Sequence, residues 1–293
     1  MTPLDYDYLR KFLKERSGLD LSSDKQYLVE SRLLPVARRL GLASISELVQ
    51  RMKVGSEGMV ASVVEAMTTN ETFFFRDKLP FDHLRDTILP TLLQSRAHRR
   101  TLRIWSAACS TGQEPYSIAM GLREYGAALN GWRIEIVATD LSQGVLEKSK
   151  AGIFSQFEVQ RGLPIQLLVK YFRQIGDMWQ LNPDIRAMVQ HKQLNLLHDF
   201  THLGIFDVVF CRNVMIYFDQ ATKVSMFRRI AKVMERDGFL ALGAAETVVG
   251  LTDAFRPCPD RRGLYAPNPV HVAPSLVPAS APFLQMGVAS PHR

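Results

Sequence analysis

Apolar side chains in the first seventy residues recur with a helical period. Leu9, Phe12 and Leu13 share one face, and Gly18 follows as a stop. Ser23 and Gln26 have the spacing of a capping box for a second helix to about Leu40, closed by Gly41. Pro35 inside it is expected to kink or interrupt it. Further helices are predicted over 44–52 and 57–67, the second with Met59, Val63 and Met67 on one face. No strand pattern precedes residue 100.

Beyond that point the pattern changes. Residues 102–108 (LRIWSAA), 134–140 (IEIVATD), 206–211 (FDVVFC) and 238–243 (GFLALG) are short apolar runs with helical segments between them. Such runs predict a parallel sheet covered on both faces, a doubly wound α/β arrangement. Between 152 and 196 the alternation is less regular. Residues 178–181 and 188–194 are read as two antiparallel strands joined by an Asn182-Pro183-Asp184 turn, the last able to join the main sheet as well. From residue 267 the chain is rich in Pro, Ala and Val, and a disordered tail is expected over 267–293.

Composition narrows the picture only a little. The 293 residues suggest two domains, and no stretch reaches the ~20 apolar residues that span a bilayer. Neither a signal peptide nor a disulfide or zinc framework is suggested: the N-terminus is charged early, and Cys109, Cys211 and Cys258 are an odd number without ligand spacing. A cytoplasmic protein with no metal is therefore expected, and the Asn70-Glu71-Thr72 sequon is read as idle. The formal charge of +7 leaves nucleic acid, an acidic protein surface or no specific partner open.

The chemistry is expected beyond the carboxyl ends of the strands. After the first strand comes Cys109-Ser-Thr-Gly-Gln-Glu-Pro115, whose single Gly112 makes a poor pyrophosphate cradle. Asp140 ends the second strand; an acid there accepts hydrogen bonds from two ribose hydroxyls or helps cap the next helix, for which Ser142 is equally placed. Asn195 and Leu196 could meet the edge and face of an adenine, and Arg212-Asn213 follow the next strand. A nucleoside ligand without a phosphate cradle points to S-adenosylmethionine. No histidine base stands among these residues, which favours an acceptor already ionised at neutral pH, a carboxylate with pKa ~4.3.

Five segments in order, TTNETFFFRD, RIWSAACSTGQEPYSIAM, ATDLSQGVLEKSK, LNLL and VVFCRNVMIYFD, resemble the CheR-type chemotaxis-receptor glutamate methyltransferases. The resemblance covers the chain to about residue 266. It implies a helical N-terminal domain over 1–78 and a class I, Rossmann-like methyltransferase domain over 79–266, with a small β-subdomain inserted at about 152–192. It implies methyl transfer from S-adenosylmethionine to glutamate γ-carboxylates on the cytoplasmic helices of chemoreceptors. Cofactor contacts are implied at Asn70, Thr72, Arg76, Glu114, Asp140, Asn195, Leu196, Arg212 and Asn213, with Arg76 and Tyr217 near the transfer path. A receptor C-terminal peptide could dock on the β-subdomain; neither nucleic acid nor membrane insertion is expected. Cys109 stands where Ala is common and Gln113 where Glu is common; an exposed Cys109 would react with thiol reagents.

The basic charge then acquires a use. Lys25, Arg32 and Arg39 are seven apart, drifting only ~20° per step on a straight helix, with Arg38 adjacent. They form a candidate docking stripe for an acidic receptor helix, or a plain solvated face. Two other readings stay in view: a nucleic-acid methyltransferase, which lacks an Asn-Pro-Pro-Tyr-type motif here, and a non-catalytic docking protein on the same fold. In TTNETFFFRD, Arg76 can grip a carboxylate through two parallel hydrogen bonds, and one or two of the phenylalanines are expected in the core.

Overall fold

A computed structural model describes residues 1–55 and 57–269. The chain opens with four helices, α1 (Pro3–Ser17), α2 (Gln26–Arg39), α3 (Ile45–Val54) and α4 (Glu57–Met67). Thr2 and Asp5 form a reciprocal capping box at the start of α1, and Gly18 ends it at φ 78°. Leu9, Leu13, Leu33, Leu48 and Met67 meet in a core belonging to these helices.

The second helix departs from expectation twice. It starts at Gln26 with Lys25 at the N-cap and no side-chain cap, because Gln26 bonds Glu30 instead of closing a box with Ser23. It also runs unbroken through Pro35, which lies on the exposed side. Pro35 leaves the Ser31 carbonyl without its usual i+4 donor, at a position on the helix's exposed side.

A connecting segment follows, with α5 (Leu79–His83) continuing through a π-turn at Leu84–Ile88 into α6 (Leu89–Ser95). Then come β1 (Thr101–Ala107), α7 (Gln113–Tyr125), β2 (Arg133–Asp140) and α8 (Gln143–Ala151). A small excursion contains β3 (Ile153–Ser155), α9 (Gln156–Gln160), α10 (Ile165–Tyr171), β4 (Phe172–Ile175), β5 (Met178–Leu181) and α11 (Pro183–Arg186). The chain returns as β6 (Val189–Gln193), β7 (Phe206–Cys211), α12 (Gln220–Lys232), β8 (Met234–Leu242), β9 (Phe255–Pro257) and β10 (Leu264–Pro267).

The main sheet has the order β6-β2-β1-β7-β8-β10-β9, parallel from β6 through β8, with β10 antiparallel to both of its neighbours, β8 and β9. Alternation sorts its side chains: Ile104, Ile136 and Val208 enter the core on one face, and Trp105, Val137 and Val209 the core on the other. The anticipated pairing of 178–181 with 188–194 does not form. β5 is the centre of a separate antiparallel sheet, β3-β5-β4, whereas β6 joins β2 in parallel at the main sheet's edge. The tight turn expected at Asn182-Pro183-Asp184 is instead a turn of helix over Pro183–Arg186, after which the chain enters the main sheet beside β2.

Pro267, placed in the tail by the sequence pattern, closes β10, and Asn268 N–H donates to the Ala254 carbonyl. The tail from residue 270 lies outside the described residues.

His191 on β6 meets Ser149 on α8, its Nε2 2.6 Å from Ser149 Oγ. Burial, the largest influence, lowers its pKa to about 4. The unfolded chain therefore takes up a proton near the ordinary value of 6.5, while the folded ring stays neutral to about 4. Stability is predicted to fall as pH drops through that window. Denaturant midpoints measured against pH should show this slope, and His191→Gln should flatten it.

Candidate active site

The carboxyl ends of β1, β2, β6 and β7 open into one cleft, closed from the other side by the N-terminal helices and the loop after α4. Gly112 makes the turn after β1 at φ 97°, and a Cβ there would sit 2.2 Å from Ser149 Oγ. The turn is therefore restricted to glycine by backbone angle and by close packing together. It sets α7 with Glu114 in its first turn, and Glu114 Oε1 accepts a hydrogen bond from Ser106 Oγ at 2.8 Å.

The buried Arg212, immediately after β7, binds the start of α7 and the loop before α5. Its Nη1 donates to Glu114 Oε2 at 2.8 Å, and its Nη2 to Asp77 Oδ2 at 2.8 Å and to the Arg76 carbonyl at 2.6 Å. Its guanidinium lies over the Phe81 ring at 5.6 Å. Among the described residues, its Nε is buried without a hydrogen-bond partner.

Asp140 ends β2 inside the cleft. Its Oδ2 accepts from Ser110 N–H at 2.8 Å and its Oδ1 from Ser142 N–H at 3.0 Å. Burial raises its pKa against the pull of those donors. Ser142 Oγ caps α8 by accepting from Val145 N–H, so the cap expected of either residue falls to Ser142, and Asp140 remains at the cleft.

Every residue that the sequence pattern and the resemblance placed at the cofactor or transfer path lines this cleft: Asn70, Thr72 and Arg76; Glu114 and Asp140; Asn195 and Leu196; Arg212, Asn213 and Tyr217. Arg76 Nη1 donates to the Glu71 carbonyl at 2.8 Å, and its guanidinium sits 5.6 Å from the Phe73 ring. Phe74 is fully buried against Phe154 and Phe172, so the middle phenylalanine is core. Asn195 spends its amide on the Arg16 carbonyl at 2.7 Å, tying the loop after β6 to the end of α1.

The four α2 cations lie outside the cleft. Arg38 and Arg39 are exposed, and Lys25 pairs with Asp24 at 3.5 Å. Arg32 is engaged elsewhere, donating to the carbonyls of Met67 and Thr68 and to Thr69 Oγ1 at 2.7, 3.1 and 3.0 Å. Half-buried, it braces the loop that leads into the cleft, and it leaves the expected stripe for that reason.

Cys109 lines the cleft but is 1% exposed. Burial first, then the nearby Asp140 and Glu114 charges, push its thiol well up. Little thiolate forms near neutral pH, so the reactivity expected of an exposed Cys109 does not apply.

Three contributors escaped sequence reasoning. Asp77 completes the Arg212 cluster. Glu65 on α4 accepts from Gly144 N–H at 2.8 Å and from Ser142 Oγ, fastening the helices to the start of α8. Glu246, after β8, accepts backbone N–H groups of the loop that carries Asn213. All three act on distant parts of the chain; Glu65 and Glu246 stand outside the five segments that carry the resemblance, and Asp77, the last residue of TTNETFFFRD, was passed over beside Arg76.

The chain matches two family descriptions: "CheR methyltransferase, all-alpha domain" over residues 4–68 and "CheR methyltransferase, SAM binding domain" over residues 70–264. It is 43% identical over 256 residues to "Chemotaxis protein methyltransferase 1" of Pseudomonas aeruginosa, covering 86% of this chain and 93% of that one. It is 42% identical over 258 residues to "Chemotaxis protein methyltransferase Cher2" of Pseudomonas putida, covering 86% and 94%. For "Chemotaxis protein methyltransferase" of Vibrio parahaemolyticus the figures are 38% over 255 residues, covering 86% and 92%.

The residues present fit S-adenosylmethionine. Asp140 uses one lone pair of each oxygen on a backbone donor and keeps acceptor capacity for a diol. Leu141 and Leu196 offer apolar walls, and the unpartnered Arg212 Nε is an unused donor. Arg212→Lys keeps the charge but loses the fork that joins Glu114, Asp77 and the Arg76 carbonyl. Calorimetric titration with S-adenosylhomocysteine should show affinity weakened about tenfold, roughly 1.4 kcal/mol. An unchanged affinity would contradict the clamp.

Proposed function

The chain belongs to the CheR methyltransferase family, and from that premise we propose that it transfers methyl groups from S-adenosylmethionine to glutamate γ-carboxylates on the cytoplasmic helices of chemoreceptors, forming methyl esters for sensory adaptation. The observation that supports this reading is the cleft itself, where Asp140 at a strand end, a clamped Arg212 and the half-buried Arg76 converge, with no histidine among the described residues that line it. We take residues 1–78 as the helical domain, 79–266 as the transferase domain and about 152–192 as its β-subdomain. The reaction belongs in the cytoplasm, where receptor helices are accessible; among the described residues no helix is long and apolar enough to cross a membrane.

The bound cofactor supplies an activated methyl group on sulfur, open to in-line attack. The protein's part is alignment and exclusion of water. A glutamate acceptor is ionised at neutral pH, with pKa ~4.3, so no residue has to remove a proton. Arg76 grips the acceptor carboxylate by a bidentate fork, and Tyr217 borders the path. Asp140 would hold the ribose, Asn195 and Leu196 would meet the adenine, and Glu114 the ammonium end, with Asn70, Thr72, Arg212 and Asn213 completing the wall.

Two surfaces serve the receptor. Arg38 and Arg39, exposed at the end of α2, complement an acidic receptor helix. β4 is an edge strand of the small sheet, with Arg173, Gln174 and Ile175 exposed, and could accept an extended receptor tail as an added strand.

The decisive assay incubates the protein with radiolabelled S-adenosylmethionine and chemoreceptor-containing membranes. Base-labile label on receptor is expected, and its absence with intact cofactor binding would refute the reading; label on RNA would replace it. Arg76→Ala should lower turnover by about 100-fold, the order expected when a reacting group loses its alignment. Near-normal turnover would remove Arg76 from the acceptor.

Reversal of Arg38 and Arg39 to Glu should raise the receptor KM several-fold, leave the cofactor KM unchanged, and reduce the salt sensitivity of the receptor KM. Arg32 is unsuitable for this test because its loss would disturb the Met67–Thr69 brace.

A further inference from the structure

Glu246 lies outside the five segments that carry the resemblance, yet its carboxylate is among the most heavily engaged groups near the cleft. It is 9% exposed and accepts four backbone N–H bonds. Oε2 takes Asn213 N–H at 2.8 Å and Gly243 N–H at 2.7 Å, while Oε1 takes Val214 N–H at 2.9 Å and Met215 N–H at 2.7 Å.

The loop after β7 is bent by Asn213 at φ 58°, a left-handed residue that turns three successive N–H groups to one side. Such a concavity binds an anion. Without one, these donors would be buried and unpaired, and the bend would lose its reason to persist. Glu246, 33 residues further along the chain, supplies the anion from the connection after β8. Its own turn is tight: Glu246 N–H donates to the Gly243 carbonyl at 3.0 Å. A Cβ on Gly243 would come within 2.7 Å of Glu246 Oε2 and 2.8 Å of Asn213 Nδ2.

The fastened loop is the one that carries the site. Arg212 precedes it, Asn213 lines the cleft, and the turn at Met215–Tyr217 ends on the tyrosine at the transfer path. The Tyr217 carbonyl then accepts Asp20 N–H at 2.9 Å, so the loop's far end also meets the N-terminal helices. A second cavity, lined by Asp77, Gly243, Glu246, Arg262 and Tyr265, lies on the other side of the carboxylate.

We infer that Glu246 is a positioning residue of the methyl-transfer reaction, holding Asn213 and Tyr217 in register by filling a backbone anion nest. This inference rests on the proposed transferase reading for its kinetic consequences, though the nest itself does not.

The experiment is an anion rescue in Glu246→Ala. The variant should turn over receptor about 100-fold more slowly, as for a misplaced reacting group, with receptor KM little changed. Formate, entering by the second cavity, should occupy the vacated nest and restore much of kcat, while having no such effect on the parent enzyme. In parallel, the amide resonances of Asn213, Val214, Met215 and Gly243 should shift in Glu246→Ala and return, saturably, as formate is titrated.

A general structural defect would not respond to formate, and rates within about threefold of the parent would overturn the inference, as would amides and kcat that both ignore formate. If Glu246→Ala does not fold, Glu246→Gln decides: its amide group presents N–H to N–H at one side of the nest, so kcat should fall at least about tenfold with the cofactor still bound. A fully active Glu246→Gln overturns the proposal. The amide titration needs no receptor, so a parent enzyme inactive on receptor would refute the function while leaving the nest tested on its own.

Discussion

The site depends on one buried cation. Arg212 reaches from the end of β7 to Glu114 at the start of α7, and to Asp77 and the Arg76 carbonyl in the loop between the helical region and the sheet. Three segments distant in sequence are thereby fixed to one planar group. Removing the arginine would leave the largely buried Glu114 carboxylate without its cation, at a cost of roughly 3 kcal/mol, whereas the exposed Asp77 would turn to water. The arrangement also exploits chemistry that only this side chain has, since a lysine could neutralise one acid without matching three acceptors in a plane.

Around this clamp the backbone is bent in ways that L-residues resist. Phe75, Asp77, Lys78, Ala108, Ser110 and Asn213 all have positive φ, and all lie in the loops at the cleft. Each such residue costs of order 1–3 kcal/mol unless its surroundings fix it. The fixing groups are carboxylates: Asp140 on the Ser110 amide, Glu246 on the Asn213 amide and Asp77 itself on Arg212. The helical roof is attached by the same means. Glu65 takes the Gly144 amide, Lys14 pairs with Asp219 at 2.7 Å, and Gly18 packs so closely on Phe218 that a Cβ would lie 2.8 Å from the ring.

Much of this was legible in the sequence because it is local. A strand, a turn residue and a helix start lie next to one another in the chain, so Glu114, Asp140 and Arg212-Asn213 could be assigned from strand ends alone. Arg76 and Tyr217 came from the resemblance. What stayed hidden were pairings across distance. Glu246 sits in a stretch with no pattern of its own and Asp77 at the very end of a recognised segment, and the partners that give them their roles, the Asn213 amide and Arg212, are more than thirty residues away. The same limit explains β5 and β6: both were recognised as strands, but strand pattern does not say which neighbour each will choose. Arg32 misled for the opposite reason, because its seven-residue spacing from Lys25 and Arg39 is real, while its hydrogen bonds to Met67 and Thr68 are invisible in any helical projection.

The distribution of hydrogen bonds also separates the two arginines of the cleft. Arg212 is buried, with both terminal nitrogens committed to acceptors of the chain, so an incoming side-chain carboxylate would have to displace Glu114 or Asp77 to be gripped. Such an exchange trades one ion pair for another and gains little. Arg76 is half-buried at the cleft, and its side chain donates to the neutral Glu71 carbonyl. A carboxylate arriving there would replace or join a neutral acceptor with a charged one, and charge-assisted bonds are roughly twice as strong. The buried acids of the cleft, Glu114 and Asp140, are each held by backbone amides, a hydroxyl or Arg212, which disperses charge that would otherwise repel the acceptor. The cleft is thus electrostatically divided: Arg212 is committed to acceptors of the chain itself, and Arg76 is the cation that the proposed reading assigns to the anionic acceptor.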